Sequence, residues 1–277
     1  MYKIVEKDQI APNTHLVTVE APLVVHRARP GQFVIVMVDE RSERIPYTLS
    51  GWNKEDGTIT FVFNEVGRST RKLVDCREGD SIYSVVGPLG VPLETGKVGT
   101  VVCAGGCYGI GAIVPAARAF REAGNRVISI IEARTAYLLY MEKENEDACD
   151  ELIVATGDGS RGMKGFAPEA IRMLLERGEQ IDEVVAMGCT FMAKTVSDAT
   201  RDKQIKTIVS LSPIMVDGTG MCGCCRLDVG GETKFACVDG PFFDGHKVDW
   251  GVLSARGAAY FKQERDSIEY SYAGVRR

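Results

Sequence analysis

The stretch from Asp217 to Cys237 carries the densest chemistry in the chain. It reads D-G-T-G-M-C-G-C-C-R-L-D-V-G-G-E-T-K-F-A-C and sets four of the nine cysteines, Cys222, Cys224, Cys225 and Cys237, within sixteen residues. Cys222 and Cys225 stand at C-x2-C spacing, with a further cysteine about a dozen residues on. Thiolates so spaced can converge on one metal centre. The glycines among them let the backbone fold tightly around an inorganic cluster. Spacing alone leaves iron–sulfur and zinc both open, and leaves open whether Cys224 is a ligand.

A second group of residues is suited to holding a nucleotide. Gly105-Gly106-Cys107-Tyr108-Gly109-Ile110-Gly111 lies between an apolar strand, Thr100 to Ala104, and an amphipathic helix predicted from Ile113 to Ala123. There, Gly105, Gly106, Gly109 and Gly111 allow backbone N–H groups and the helix N-terminus to cradle a pyrophosphate. The turn is not the usual G-x-G-x-x-G, and Pro115 falls in the first helical turns, so a tight strand-to-helix turn that binds nothing is the alternative. Glu132 ends the next strand, about 20 residues on, where an acid bonds a ribose 2′-hydroxyl and repels a 2′-phosphate. That favours NAD over NADP; Arg134 nearby works against it, and a plain strand-end carboxylate is the other reading.

The elements that must position these groups fall into two patterns. Residues 1 to about 96 carry short β-branched runs, among them His15 to Val19, Phe33 to Val38 and Thr58 to Phe63, separated by turns such as Pro30-Gly31 and Asp56-Gly57. Many short strands with few helices predict a small barrel or sandwich. From Gly99 onward, apolar strands at Arg126 to Ile131, Glu151 to Ala155, Glu183 to Met187 and Lys206 to Leu211 alternate with helices at Pro168 to Arg177 and Phe191 to Arg201. Strands alternating with helices predict a doubly wound parallel sheet. The cysteine-rich segment follows Pro213, and a charged tail with a helix near Ser254 to Asp266 ends the chain.

Composition narrows the function classes. The 277 residues are enough for two cores, and 45% hydrophobic with 26% charged residues is ordinary for a globular protein. The net charge of -5, with no basic run, argues against a nucleic-acid partner. The polar start, M-Y-K-I-V-E-K-D-Q-I, does not read as a signal peptide, and no apolar run is long enough for a membrane span. Nine unevenly spread cysteines then predict a reducing cytoplasm with metal or redox use, not a disulfide scaffold.

Taken together, a β-rich first half, the G-G-C-Y-G-I-G turn and the terminal cysteine cluster resemble the ferredoxin-NADP reductase superfamily over nearly the whole chain. Within it, the likeness is to subunits carrying FAD and a [2Fe-2S] cluster. One branch is the electron-transfer subunit of dihydroorotate dehydrogenase. The other is the small (alpha) subunit of electron-bifurcating NADH-dependent ferredoxin:NADP oxidoreductases, related to sulfide dehydrogenase subunits. The resemblance implies a β-barrel FAD-binding domain over residues 1–96, an α/β NAD-binding domain over 97–212, a [2Fe-2S] segment over 213–250 and a tail over 251–277.

It also implies roles for particular residues. Arg44-Ile45-Pro46-Tyr47-Thr48-Leu49-Ser50 matches the flavin stretch of the family, although Arg44, the expected pyrophosphate partner, stands one place early. Tyr47 would offer an aromatic face to the isoalloxazine and Thr48 a hydroxyl to its polar edge. Val66-Gly67-Arg68-Ser69-Thr70 resembles the second flavin segment, in which Val66, Gly67, Ser69 and Thr70 open a helix at the FAD pyrophosphate; a bare helix cap is the plain reading. Gly188-Cys189-Thr190-Phe191-Met192 resembles the turn facing the nicotinamide and makes Cys189 a catalytic candidate beside Tyr47 and Thr48; a buried cysteine is the alternative. Asp158, in Thr156-Gly157-Asp158-Gly159-Ser160, matches the loop on the adenosine side.

The dihydroorotate-type cluster pattern is C-x4-C-x2-C followed by a fourth cysteine. Registered on Cys222, Cys225 and Cys237, the first position falls on Asp217, as in the bifurcating-type subunit with three cysteines and one aspartate. Cys224 as the fourth ligand remains an alternative, but adjacent cysteines reach one cluster only with strain. The implied activity is NADH oxidation through FAD and the cluster. The implied partner is a larger subunit with its own FAD and [4Fe-4S] clusters, in a hetero-oligomer in which the tail docks or is simply a polar end. The electron-transfer subunit of an NAD-linked dihydroorotate dehydrogenase, and a non-catalytic metal-stabilised binding module, are the alternatives.

Overall fold

The computed structural model describes residues 1–274; the last three residues of the predicted tail, 275–277, lie outside the described residues. The first half is a single antiparallel sheet. Its strands are β1 (Tyr2–Ala11), β2 (Thr14–Glu20), β3 (Phe33–Met37), β4 (Ile45–Asn53), β5 (Thr58–Asn64), β6 (Ser81–Ile82) and β7 (Ser84–Leu89), in the order β6-β1-β2-β5-β4-β3-β7. The two edge strands are separated in the chain by Tyr83 alone, so the sheet curls until it is nearly closed. Alternation along each strand turns Val17, Val19, Val34, Leu49, Phe61 and Phe63 inward to fill it. Helices α1 (Pro22–Val25) and α2 (Arg68–Asp75) interrupt the strands.

The second half is the predicted α/β unit. It runs β8 (Thr100–Gly106), α3 (Gly109–Glu122), β9 (Arg126–Ala133), α4 (Glu142–Ala148), β10 (Glu151–Thr156), β11 (Met163–Lys164), α5 (Ala167–Glu176), β12 (Glu183–Met187), α6 (Thr190–Arg201) and β13 (Lys206–Ser210). Then come the hairpin strands β14 (Arg226–Val229) and β15 (Glu232–Phe235), and β16 (Phe242–Asp244). The order β11-β10-β9-β8-β12-β13-β16 is parallel except for β16, which joins β13 antiparallel and so fastens the cysteine-rich segment to the nucleotide sheet. Chain order reverses between β8 and β12, and ligands of such sheets bind beyond the strand ends at that switch point.

Two local expectations are corrected. Helix α3 begins at Gly109, four residues before the predicted start, because the end of the glycine turn is itself the first helical turn. The single tail helix predicted over Ser254 to Asp266 is two helices, α7 (Trp250–Gly257) and α8 (Phe261–Gly274). Asp249 caps α7 by accepting the Val252 N–H at 2.9 Å, and Trp250 and Leu253 are buried in the same core as the cysteine hairpin. The chain after Trp250 therefore starts as part of the cluster segment. No described helix is long and apolar enough to cross a membrane.

Candidate functional site

The spacing between Cys225 and Cys237 is accounted for by a hairpin. Strands β14 and β15 pair from Arg226 with Phe235 to Val229 with Glu232, and the two-residue turn between them is Gly230-Gly231, both at positive φ (65° and 81°). That is the turn that matches the twist of a hairpin, and it favours glycine at both positions. At the open end Ala236 N–H donates to the Cys225 carbonyl at 3.1 Å, and the two buried sulfurs lie 3.2 Å apart. The second pair is local. The backbone amides of Cys224 and Asp217 beside the Cys222 thiol hold its pKa below the ordinary thiol value. The Asp217 carboxylate accepts the hydroxyl and N–H of Thr219 and the N–H of Met221 at 3.3 Å, so it closes the loop that presents Cys222.

Among the described residues no three such donors already meet around one ion. Cys225 and Cys237 stand as one pair, and Asp217 and Cys222 share the preceding loop; a two-iron cluster takes one pair of ligands per iron. Cys224 is anchored through its backbone, and its thiol lies beside that of Cys222. Its carbonyl accepts Arg256 Nη2 of α7 at 3.0 Å, which ties the loop to the following helix.

The flavin stretch lies on β4, and strand alternation decides what each of its side chains can touch. Tyr47 is corrected: it faces the barrel interior, 7% exposed, with its ring stacked on Phe61 at 4.8 Å between centroids. Its aromatic face is therefore already covered. Leu49 is likewise interior, whereas Pro46 and Thr48 point outward and a bulge after Leu49 turns Ser50 toward α3. Ser50 Oγ is buried without a partner, as is Arg44 Nε. Partnerless buried polar atoms are costly and mark a place where a group is missing.

Arg44, expected at the pyrophosphate, donates from Nη2 to the Asp217 carbonyl at 2.9 Å and so ties the flavin strand to the cluster loop. Ser69 donates to Glu43 at 2.8 Å, and Thr70 Oγ1 accepts the N–H groups of Val66 and Gly67, each at 3.0 Å. Both hydroxyls are thus already engaged, that of Thr70 within the turn and that of Ser69 with the segment before β4. What the start of α2 offers an anion is its backbone amides, with open space in front of Gly67. Tyr47→Phe is expected to leave FAD occupancy unchanged in a titration of the purified protein. Ser50→Ala is expected to weaken FAD binding roughly three- to tenfold, the loss of one hydrogen bond.

Between barrel and sheet lies a cleft of about 1120 Å³. Thr14, Asn64 and Val66 line it from the barrel, and Cys107, Glu132 and Cys189 from the nucleotide side. The four glycines of the turn are all buried and serve mainly close packing. A Cβ on Gly109 would stand 1.9 Å from the Met187 carbonyl oxygen, and one on Gly111 3.0 Å from Ser50 Oγ, so Gly111 seats α3 against the barrel. Asp158 accepts the N–H and hydroxyl of Ser160 at 2.9 and 2.6 Å and holds its own turn; it is not among the residues lining the cleft.

Glu132 does line the cleft, with Oε2 accepting the Ala167 N–H at 2.6 Å. Burial pushes its carboxyl from the usual 4.5 up to about 7. A carboxyl only partly ionised near neutral pH repels a 2′-phosphate less than a full charge would. In the unfolded chain the same group ionises near 4.5, so between 4.5 and about 7 the folded state binds more protons. The contribution of Glu132 is greatest below that window, declines as pH rises through it and levels off above. Glu132→Gln is expected to raise the melting temperature at pH 8 relative to pH 5, compared with the parent, in paired thermal melts.

A family model for the iron–sulfur cluster binding domain of dihydroorotate dehydrogenase B matches residues 212–249. The chain is 44% identical over 267 residues to a dihydroorotate dehydrogenase B (NAD(+)) electron transfer subunit homolog of Thermotoga maritima, covering 96% of this chain and 94% of the relative. The chain belongs to the dihydroorotate dehydrogenase B electron-transfer subunit family. A subunit of that name from Shouchella clausii is 30% identical over 250 residues, 87% of this chain and 94% of its own. Among solved structures, a chain from an NADH-dependent reduced ferredoxin-NADP oxidoreductase, studied for flavin-based electron bifurcation, matches with a TM-score of 0.93 and 42% identity over 98% of both chains. A ferredoxin reductase of carbazole 1,9a-dioxygenase, 19% identical with a TM-score of 0.61 over 74% of this chain and 64% of its own, shares the fold.

In this family member the cleft also uses residues that sequence reasoning passed over. Cys107 occupies the left-handed region at φ 52°, where glycine would be expected. Its carbonyl accepts the Tyr140 hydroxyl at 2.6 Å, and the Tyr108 hydroxyl donates to the Gly188 carbonyl at 2.8 Å. The available signal was a cysteine standing where a glycine-rich turn would ordinarily place another glycine.

Proposed function

We propose that the chain is the NADH-oxidising electron-transfer subunit of an NADH-dependent ferredoxin:NADP oxidoreductase, of the bifurcating type, working in the cytoplasm with a larger subunit that holds FAD and [4Fe-4S] clusters. One observation carries the choice. The first cluster position is Asp217, its loop supports Cys222, and Arg44 of the flavin strand holds its carbonyl. The 42% identity to a chain of such an oxidoreductase supports the same reading. The nine free cysteines fit a reducing compartment.

The residues fit the implied groups. The partnerless Ser50 Oγ and Arg44 Nε, the outward Pro46 and Thr48, and the amides opening α2 suit FAD at the barrel's seam with α3. Asp217, Cys222, Cys225 and Cys237 suit the cluster. When bound, FAD supplies exchange between electron pairs and single electrons, and the [2Fe-2S] cluster accepts them one at a time. The protein's part is orientation. The cleft would hold NADH, with Cys189 at the start of α6 as the candidate to lie beside the nicotinamide. Gly218, at φ 84°, has room for no side chain, since its Cβ would stand 2.7 Å from Ile35 of β3; the cluster loop is thereby pressed against the barrel that holds the flavin. No side chain needs to move a proton.

The test is anaerobic titration of the purified protein with NADH, followed by mixing with two partners. Bleaching of flavin and iron–sulfur absorption by NADH, and electron delivery to the large ferredoxin- and NADP-reactive subunit, are expected. Delivery instead to and from a dihydroorotate-oxidising partner would favour the second reading, which the relatives' names support. A colourless protein would leave only a metal-stabilised binding module.

A further inference from the structure

Cys107 and Cys189 stand opposite each other at the switch point, and the sheet itself sets their register. Parallel strands β8 and β12 pair Gly105 with Met187, and Cys107 and Cys189 each follow two residues beyond that last pair, in the turns that leave the sheet. Neighbouring strands run about 4.8 Å apart. A disulfide spans Cα atoms roughly 4.4–6.8 Å apart. The intervening Gly106 and Gly188 keep the two turns close, since a Cβ on Gly188 would stand 3.0 Å from the Gly106 carbonyl oxygen. Both cysteines are exposed, both line the cleft, and their thiols influence each other's ionisation across it.

Both turns are also held in place. Tyr140 grips the Cys107 carbonyl and Tyr108 the Gly188 carbonyl, and the Tyr108 hydroxyl is anchored in turn by Ser212 Oγ at 2.6 Å. Cys189 is the N-cap residue of α6, with no cap hydrogen bond from its side chain. The neighbouring Cys107 thiol and the backbone amides of Met192 and Phe191 at the helix start bring its pKa down to about 6 against the opposing effect of burial. The same pairing pushes Cys107 upward. The opposite directions of the two shifts suit Cys189 to attack and Cys107 to resolve.

We propose that Cys107 and Cys189 form a thiol–disulfide exchange site that takes a low-molecular-weight disulfide and closes to a Cys107–Cys189 bond, barring the nicotinamide end of the cleft. The Cys189 thiolate attacks one sulfur of RSSR, forming Cys189–S–SR and releasing RS⁻. The Cys107 thiol then loses its proton to the solvent and attacks the Cys189 sulfur, expelling the second RS⁻. The two cysteines give up two electrons, Cys107 gives up one proton, and RSSR leaves as two RS⁻, which are protonated by the solvent according to their own pKa. The barring of NADH rests on the function proposed above; the bond itself does not.

The experiment exposes the full chain with its bound cofactors, anaerobically, to graded ratios of oxidised and reduced glutathione. Peptide mapping by mass spectrometry is expected to find a Cys107–Cys189 link, two hydrogens lighter than the dithiol, while cluster absorption is retained. NADH affinity is expected to fall at least about tenfold, 1.4 kcal/mol, and to recover on reduction. Cys107→Ser should trap glutathione on Cys189. A mixed disulfide that persists in the parent protein, a link that leaves NADH affinity unchanged, or reaction at Cys76 ahead of Cys189 would each overturn the proposal. Failure of the fully reduced protein to bind NADH, with the link still mapped, would count against the proposed function and not against the exchange site.

Discussion

Cys225→Ser is expected to abolish the iron–sulfur absorption of the purified protein and to cut electron delivery to the partner on the order of 100-fold or more, while FAD content and NADH-driven flavin bleaching persist. Cys225 is 2% exposed, and its sulfur lies 3.2 Å from that of Cys237, so the two form one preset half of the site. A serine hydroxyl is a harder, less acidic donor in a buried position and leaves that half with one soft ligand. The barrel and the α/β sheet do not depend on this side chain, which is why the flavin signals should survive. The comparison that gives the result its meaning is between the other donors. Cys224→Ser should retain the cluster, because Asp217 takes the fourth position in the proposed ligand set and the backbone contact of Cys224 with Arg256 of α7 survives the substitution. Asp217→Cys should also retain it, with a shifted midpoint potential in a dye-mediated redox titration followed by electron paramagnetic resonance. Loss of the cluster in Cys224→Ser, together with its survival in Asp217→Ala, would show that the ligand set is wrong.

The parts of this molecule that were legible in its sequence are those set by local pattern. The apolar run Glu183 to Met187 is a strand with those bounds, and the spacing that suggested converging thiolates belongs to a segment in which Cys225 and Cys237 do meet. The less legible parts are set by direction and by distant neighbours. Tyr47 has the right chemistry for a flavin ring, but on a strand whose odd-numbered residues point inward it stacks on Phe61, and the outward hydroxyl of Thr48 is what remains for the cofactor. Arg44 was matched to a phosphate by a motif, yet its partner is 173 positions away in the chain, on the cluster loop. Gly111 reads as part of a phosphate cradle, and only the docking of α3 on β4 shows that it makes room for Ser50. In each case the residue type was informative about the kind of contact and silent about which surface it would meet.

Gly109→Ala is expected to be the most damaging single methyl in the nucleotide half. The added Cβ would stand 1.9 Å from the Met187 carbonyl oxygen and 2.4 Å from its carbon, with the Gly188 nitrogen at 2.9 Å. All three atoms are backbone, at the end of a buried strand, so no side chain can swing aside. The dihedral angle at Gly109 is ordinary for a helix, and the cost is steric, not conformational. Either α3 lifts from the end of β12 or β12 shifts in the sheet. Overpacking of this kind costs about 3 kcal/mol or more. In a chain of this size that lowers the melting temperature by roughly 6–12 °C. Because β12 leads into Cys189 and α3 follows Cys107, NADH binding should weaken in the same variant even at temperatures where it remains folded. Gly67→Ala is the contrasting case: its φ of −165° is open to any residue, and nothing lies within 4 Å of the new methyl. That variant should melt with the parent and lose FAD affinity instead, since the methyl projects into the space in front of the α2 amides. A Gly109→Ala protein as stable as the parent would mean that the turns after β8 and β12 are not packed as described, and the register that brings Cys107 to Cys189 would fall with it.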